Sequence, residues 1–511
     1  MVCDICLISP PSRAHSRRPP LALMMLASYL EKKGFKTEII DIKTDSFSPV
    51  EGEAEKEIIT KIIEKVGVSK PSIIGLSAFC HDINENIELA KMLRENFVDS
   101  TIVFGGIQPT LTPQNFLFPG SPVDYVIMGE GEETLAELVD KIKNGGKTEN
   151  VRGVAFLKKG KLARTECRPL IENLDELPWP AYGKIDMEYY LKPNIYAIRF
   201  FLLSAFYVFS TRGCPAMCKF CANKNLWKGS GKGKIIRFRG AKKIVDEIEF
   251  LAKKYRMDAI YLYDDNFLID KKRVYEFCDE LKKRKINLIW ACNARVDNIT
   301  EEIVKRMRDA GCIQLDFGVE SGSIKCLNRA NKNITIKQIE DAFRICRKYN
   351  MRTLANFMFN FPDETEEDVR LTHELAERIK STEYSFAIMT PYPGTDIYDD
   401  LKLDLSREEY EVFKCSVYSE VDKRFRMASH NLDLDKVTID ANLHFNSPFR
   451  ILNRAILNEY LAQLLRSRRK TQYLGSAGKL AAYSVSSIIP RILKKNLSPY
   501  KKKDENKKSK K

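Results

Sequence analysis

Apolar positions in the first 150 residues fall into short blocks, separated by longer stretches with helical spacing. The blocks predict strands at residues 4–9, 37–42, 73–77, 101–104 and 125–128. The stretches between them predict helices at 20–33, 53–66, 83–96 and 134–144, the first ending at Gly34. Strands that alternate with helices in this way build a parallel sheet covered on both faces, so residues 1–150 read as a doubly wound, Rossmann-like α/β domain. Residues 151–195 read as a small hairpin and a linker, because Leu177, Pro178, Trp179 and Pro180 favour an extended chain over a helix.

A second alternation runs through residues 196–400. Strands are predicted at 207–210, 259–263, 287–292, 313–318, 353–359 and 384–389, and helices at 241–255, 271–284, 300–310, 336–349 and 366–379. Such units form a partial (β/α)₆ barrel of the TIM type, with its active site at the C-terminal strand ends. Residues 401–511 become helical and basic and finish in a lysine tail expected to be disordered.

The chain has 511 residues, 44% of them hydrophobic and 30% charged, as in ordinary globular proteins of more than one domain. No transmembrane helix is predicted, since the central apolar run from 200 to 209 is about half the length a bilayer needs. A cytoplasmic location is expected. The net charge of +15 is uneven: residues 466–511 hold fifteen Lys and Arg against two acids, so the rest of the chain is close to neutral. Nucleic-acid binding is not expected, as no aromatic-interleaved basic groove accompanies the charge.

Thirteen cysteines in such a chain point to metal or redox chemistry rather than disulfides. Cys214, Cys218 and Cys221 stand in a C-x₃-C-x₂-C loop directly after an apolar strand. Three thiolates so close together can bind three irons of a cubane cluster and leave the fourth iron open to a substrate. A structural zinc site would need a fourth Cys or His nearby, and no histidine is near this loop.

The loop resembles the signature of the radical S-adenosylmethionine superfamily, with Phe220 as the aromatic residue before the third cysteine. The resemblance implies a [4Fe-4S] cluster whose open iron chelates S-adenosylmethionine. Electron transfer, from a donor such as ferredoxin or flavodoxin, then yields a 5′-deoxyadenosyl radical. Later strand ends agree: YLYDDNF carries Asp264 and Asp265, ACNARVD carries Asn293 and Arg295, and DFGVESGS carries Glu320. In the family such positions contact the methionine carboxylate, ribose and adenine.

In the first domain Ser77, Gly105, Gly106, Gly129 and Gly131 fall at strand C-termini, where an open α/β sheet binds ligands. Glycines there let a large planar or phosphate-bearing molecule come close to the backbone. The order of segments resembles the cobalamin-binding domain of class B, B12-dependent radical enzymes. The D-x-H-x-x-G motif of other B12 proteins is absent, and Pro109 follows Gln108 where histidine is frequent in the family. Cobalamin is nevertheless the cofactor implied.

In its commonest form the implied reaction uses one S-adenosylmethionine to methylate cobalamin and a second to generate the radical, with methyl transfer to an unactivated carbon. Ring formation or carbon–carbon coupling would use the same motifs, and a non-catalytic cobalamin or cluster sensor is a third reading. Residues 449–465 read as an amphipathic helix followed by basic and apolar stretches. This fits peripheral attachment to an anionic membrane as well as it fits a solvated cap. It points to a hydrophobic, lipid- or isoprenoid-like small-molecule substrate.

Overall fold

The computed structural model describes residues 3–10, 18–42, 53–195, 197–199, 201–228, 233–403, 405–414 and 422–446, with residues 467, 469, 471, 472, 474 and 476. The first sheet contains β1 (Ile5–Ser9), β2 (Thr37–Asp41), β3 (Ile73–Ser77), β4 (Thr101–Gly105), β5 (Tyr125–Ile127), β6 (Val154–Lys158) and β7 (Lys161–Arg164). Its order is β2-β1-β3-β4-β5-β6-β7, with β1 to β5 pairing in parallel and β6 and β7 antiparallel. The hairpin expected after residue 150 thus extends this sheet.

The doubly wound reading holds because β1, β3 and β4 bury side chains on both faces. One face packs on α1 (Leu21–Lys32) and α5 (Gly131–Lys143), the other on α2 (Glu53–Ser69) and α3 (Ile83–Asn96). The short helix α4 (Ile107–Leu111) follows β4. Strand order reverses at β1 and β3, which opens a crevice beyond their carboxyl ends.

After α6 (Met187–Leu191) comes the barrel: β8 (Ala205–Val208), the two-stranded ribbon of β9 (Thr211–Arg212) and β10 (Arg237–Phe238), then β11 (Ala259–Leu262), β12 (Ile289–Ala294), β13 (Cys312–Glu320), β14 (Arg352–Phe359) and β15 (Glu383–Ile388). Six of these strands form one parallel sheet ordered β15-β14-β13-β12-β11-β8. Its helices are α7 (Asn223–Lys228), α8 (Ala241–Tyr255), α9 (Lys271–Lys283), α10 (Glu301–Asp309), α11 (Ile324–Arg329), α12 (Ile336–Lys348), α13 (Glu366–Ile379) and α14 (Asp396–Asp400). Side-chain capping sets several of their starts, including capping boxes of Thr335 with Gln338 and Thr365 with Asp368.

The first barrel strand lies two residues earlier than the apolar run suggests. Ser210 and Thr211 instead donate their backbone N–H groups to Asp264, which turns the chain away from the ladder. At the opposite edge, α15 (Leu434–Phe445) covers β15. Asn442 donates to and accepts from the backbone of Phe386, and Asn446 does the same for Tyr384, so the free edge is satisfied by side chains.

The apolar core that includes α1 and α5 runs without a break into the barrel, so the two halves are packed together rather than tethered. Near the end of the described chain, Ser467 bonds Asp258, and Arg469 pairs with Glu188 and donates to the Tyr255 carbonyl. The helix expected at 449–465 lies outside the described residues. Among the described residues, no helix is long and apolar enough to cross a membrane.

Candidate active site

The cysteine loop leaves β9 at Gly213. There φ is +85° and an added Cβ would lie 2.2 Å from the Ile235 carbonyl oxygen, so only glycine fits. The loop is then held from three sides. Lys219 N–H donates to the Ala330 carbonyl (3.0 Å), Ile397 N–H to the Lys219 carbonyl (3.3 Å), and Asn331 Nδ2 to the Met217 carbonyl (2.8 Å). Phe220 anchors it by packing on the small apolar cluster of Phe361, Met389 and Ile397.

Cys214, Cys218 and Cys221 are free thiols, close enough for their charges to interact. Burial pushes the pKa of all three thiols up, that of Cys221 to about 11, and so keeps them protonated. Asp265 pushes Cys214 and Cys221 the same way, while Lys332 and Arg295 oppose the shift at Cys218. Bound metal would therefore have to displace the protons. Among the described residues no three His, Cys, Asp or Glu side chains converge on one ion position. A cubane makes a different demand, since each thiolate takes its own iron. Three free cysteines with no fourth protein ligand fit a cluster with one open iron.

The other strand-end residues divide into two kinds. Asp264 is fully buried and takes hydrogen bonds from the backbone and hydroxyls of Ser210 and Thr211, so it positions the start of the cysteine loop. Asn293 is likewise engaged, accepting from Tyr261 Oη and donating to the Asp264 carbonyl, both at 2.8 Å. Asp265 accepts from Asn223.

Arg295 keeps an unused donor. Its Nε and Nη2 bind Asp297, Nη2 also reaches the Lys332 carbonyl, and Nη1 is buried without a partner. It lines a cavity of about 370 Å³ together with Met217, Asn266, Asn298 and Lys332. Glu320, in a left-handed conformation (φ +69°), forms a buried pair with Lys332 Nζ at 2.6 Å. The sequence reading missed Lys332, since a lysine in a loop after a helix carries no signal until the fold places it beside Cys218. The unused guanidinium donor, the acid and the ammonium suit a zwitterionic ligand next to the cluster.

In the first domain, Ser77, Gly105 and Gly106 meet where β3 and β4 end. Gly106 has φ +105°, and a Cβ there would stand 3.8 Å from Ser77. Phe79 and Ile107 remain 55% and 39% exposed, an apolar rim at these strand ends. Gly129 donates its N–H to Thr110 Oγ1 (3.1 Å). Gly131 differs from the rest: a Cβ would lie 3.0 Å from Leu26, so it serves the packing of α5 on α1. A backbone floor with an apolar rim fits a broad flat molecule such as a corrin.

Between Gly129 and the first turn of α5 lies a feature that sequence reasoning did not find. Glu130 and Glu132, both 6% exposed, embrace Arg212 from β9, and Arg237 adds a second contact to Glu130 at 2.7 Å. Burial opposes these charges, yet Glu132 and Glu130 hold Arg212 firmly protonated and Arg212 holds Glu132 ionised. This clamp ties the end of β5 to the strand that launches the cysteine loop.

Residues 208–376 match the model of the Radical SAM superfamily, and residues 13–139 match that of the B12 binding domain. An uncharacterised methyltransferase of Pyrococcus horikoshii is 30% identical over 405 residues, covering 78% of this chain and 83% of the relative. The anaerobic magnesium-protoporphyrin IX monomethyl ester cyclase of Rubrivivax gelatinosus is 29% identical over 408 residues, covering 78% and 68%. Among solved structures, the radical S-adenosylmethionine methyltransferase TsrM of Kitasatospora setae, with its tryptophan substrate and an S-adenosylmethionine analogue bound, superposes with a TM-score of 0.62 at 20% identity, covering 78% and 76%.

Proposed function

The chain belongs to the radical S-adenosylmethionine enzymes that carry a B12-binding domain, and on that premise we propose that it transfers a methyl group to an unactivated carbon of a largely apolar substrate. The observation that carries this reading is the clamp of Arg212 by Glu130 and Glu132. It joins the end of β5, beside the glycine-edged crevice, to the strand that launches the cysteine loop. When bound, the cluster supplies the electron that cleaves S-adenosylmethionine to a 5′-deoxyadenosyl radical, and cobalamin carries the methyl group.

The protein's own residues supply position and charge. Cys214, Cys218 and Cys221 would hold three irons of the cluster, one each. Arg295 Nη1 is free to receive a carboxylate, and Glu320, steadied by Lys332, is placed for an ammonium or a ribose hydroxyl. Asp264 and Gly213 fix the loop's exit. Packing of α4 on α7 brings the helix after β4 against the helix that follows the cysteine loop.

Anaerobic reconstitution with iron, sulfide and hydroxocobalamin, followed by S-adenosylmethionine and dithionite, should yield both S-adenosylhomocysteine and 5′-deoxyadenosine. The cyclase relative favours a second reading, ring closure without methyl transfer, which would give 5′-deoxyadenosine alone. With the first reading we keep a ferredoxin- or flavodoxin-type electron donor and a cytoplasmic protein with peripheral membrane contact through its basic C-terminus. Flotation with anionic but not neutral vesicles would test that contact.

A further inference from the structure

Along the barrel strands, alternate residues are unequally covered. Asn356, Met358, Ser385 and Ala387 are half-exposed, whereas Phe357, Phe359 and Phe386 between them are buried. Successive side chains of a strand point to opposite faces, so this partly exposed set faces the inside of the barrel and lines its chamber. Its far wall is aromatic, with the rings of Tyr207, Tyr261 and Tyr263 packed in tilted and edge-to-face contacts 5.5–6.1 Å apart.

Two arginines reach this chamber. Arg18, from the segment before α1, donates to Tyr263 Oη at 2.9 Å, which puts it at the mouth between the domains. Arg199, from the segment before β8, donates to Ser385 Oγ of β15 at 3.1 Å. Its charge also acts on Tyr207, Tyr261 and Asp316, so it lies deeper in the same space. Neither arginine forms an ion pair among the described residues. Arg212, Arg237, Arg295 and Arg352 all do. Asp316, an acid that feels the charge of Arg199, takes its hydrogen bonds from Gln314 Nε2 and Tyr261 Oη, each at 2.8 Å.

A guanidinium that, among the described residues, bonds only hydroxyls is matched to an anion supplied by a ligand. We propose that the chamber binds a substrate carrying a carboxylate or phosphate, held by Arg18 and Arg199, with its apolar body against the tyrosine wall. This rests on the reading above and narrows its apolar substrate to an acidic amphiphile.

Titration calorimetry on the reconstituted holoenzyme with dodecanoate, dodecyl phosphate and dodecanol tests it. Both acids should bind at least about tenfold more tightly than the alcohol, as a charge-assisted hydrogen bond implies, and the tighter of the two identifies the anion. R18Q and R199Q should each weaken acid binding about tenfold. R199K, which keeps the charge, should retain most of it and shows that the site is intact. Equal binding of dodecanol, or unchanged acid binding in R18Q and R199Q, would overturn the proposal. If the wild type cleaves S-adenosylmethionine but shows no preference for acids, this inference fails alone. If it cannot cleave S-adenosylmethionine at all, the functional reading fails first.

Discussion

Both parallel sheets end at the space between the domains, yet they present different chemistry there. The first sheet ends in Ser77, Gly105 and Gly106 with Phe79 and Ile107 exposed, a surface of backbone and apolar side chains. The barrel ends in thiols, Arg295, Glu320 and Lys332, where charges crowd beside a buried loop. One fold principle thus serves two ligands: removing side chains makes room for a wide, flat molecule, and adding charged ones grips a small zwitterion. The clamp of Glu130, Glu132, Arg212 and Arg237 lies where the two surfaces meet, and it belongs to neither.

The comparison can be broken in steps. The largest effect is expected from Cys218→Ala: iron content and cluster absorbance should be lost while hydroxocobalamin still binds, because the two sites draw on different sheets. Loss of both would show that they are not separate. Next comes Glu132→Ala, which leaves Arg212 buried with half its partners. About 3–5 kcal/mol of stability should go, measured by denaturant unfolding. The paired change of Glu132 and Arg212 to Met should restore much of it, since apolar replacement of a whole buried pair is often neutral.

Smaller and more local is Lys332→Met, which removes the partner of Glu320. S-adenosylmethionine affinity of the reconstituted protein should fall by about 1.5–3 kcal/mol, with the cluster's absorbance retained. Smallest is Gly106→Val. A β-branched residue at φ +105° is strained by about 1–2 kcal/mol, and the corrinoid floor should rise with it. Equilibrium dialysis should show weaker hydroxocobalamin binding with unchanged iron content. A drop in iron instead would mean that the crevice and the cluster loop are one cooperative unit.

Much of this contrast was legible in the sequence. The apolar blocks located the five parallel strands of the first sheet and the six of the barrel, because strands buried on both faces leave near-continuous hydrophobic runs. The three cysteines stood out because their spacing has no packing explanation. Pairwise facts were not legible. Asp264 and Arg295 look alike as polar strand-end residues, but one is consumed by Ser210 and Thr211 and the other keeps a free donor. Glu130, Glu132 and Arg212 lie about eighty positions apart, and no local pattern announces an ion pair across two domains. Gly131 has the same sequence context as Gly129, and only the position of Leu26 assigns it to helix packing.

The central claim is that one protein uses S-adenosylmethionine in two ways. The most direct measurement is product analysis by mass spectrometry on anaerobically reconstituted protein, with dithionite and with or without hydroxocobalamin. The account predicts 5′-deoxyadenosine in both samples and S-adenosylhomocysteine only when the corrinoid is present. S-Adenosylhomocysteine absent from both samples, or formed equally without corrinoid, would contradict it.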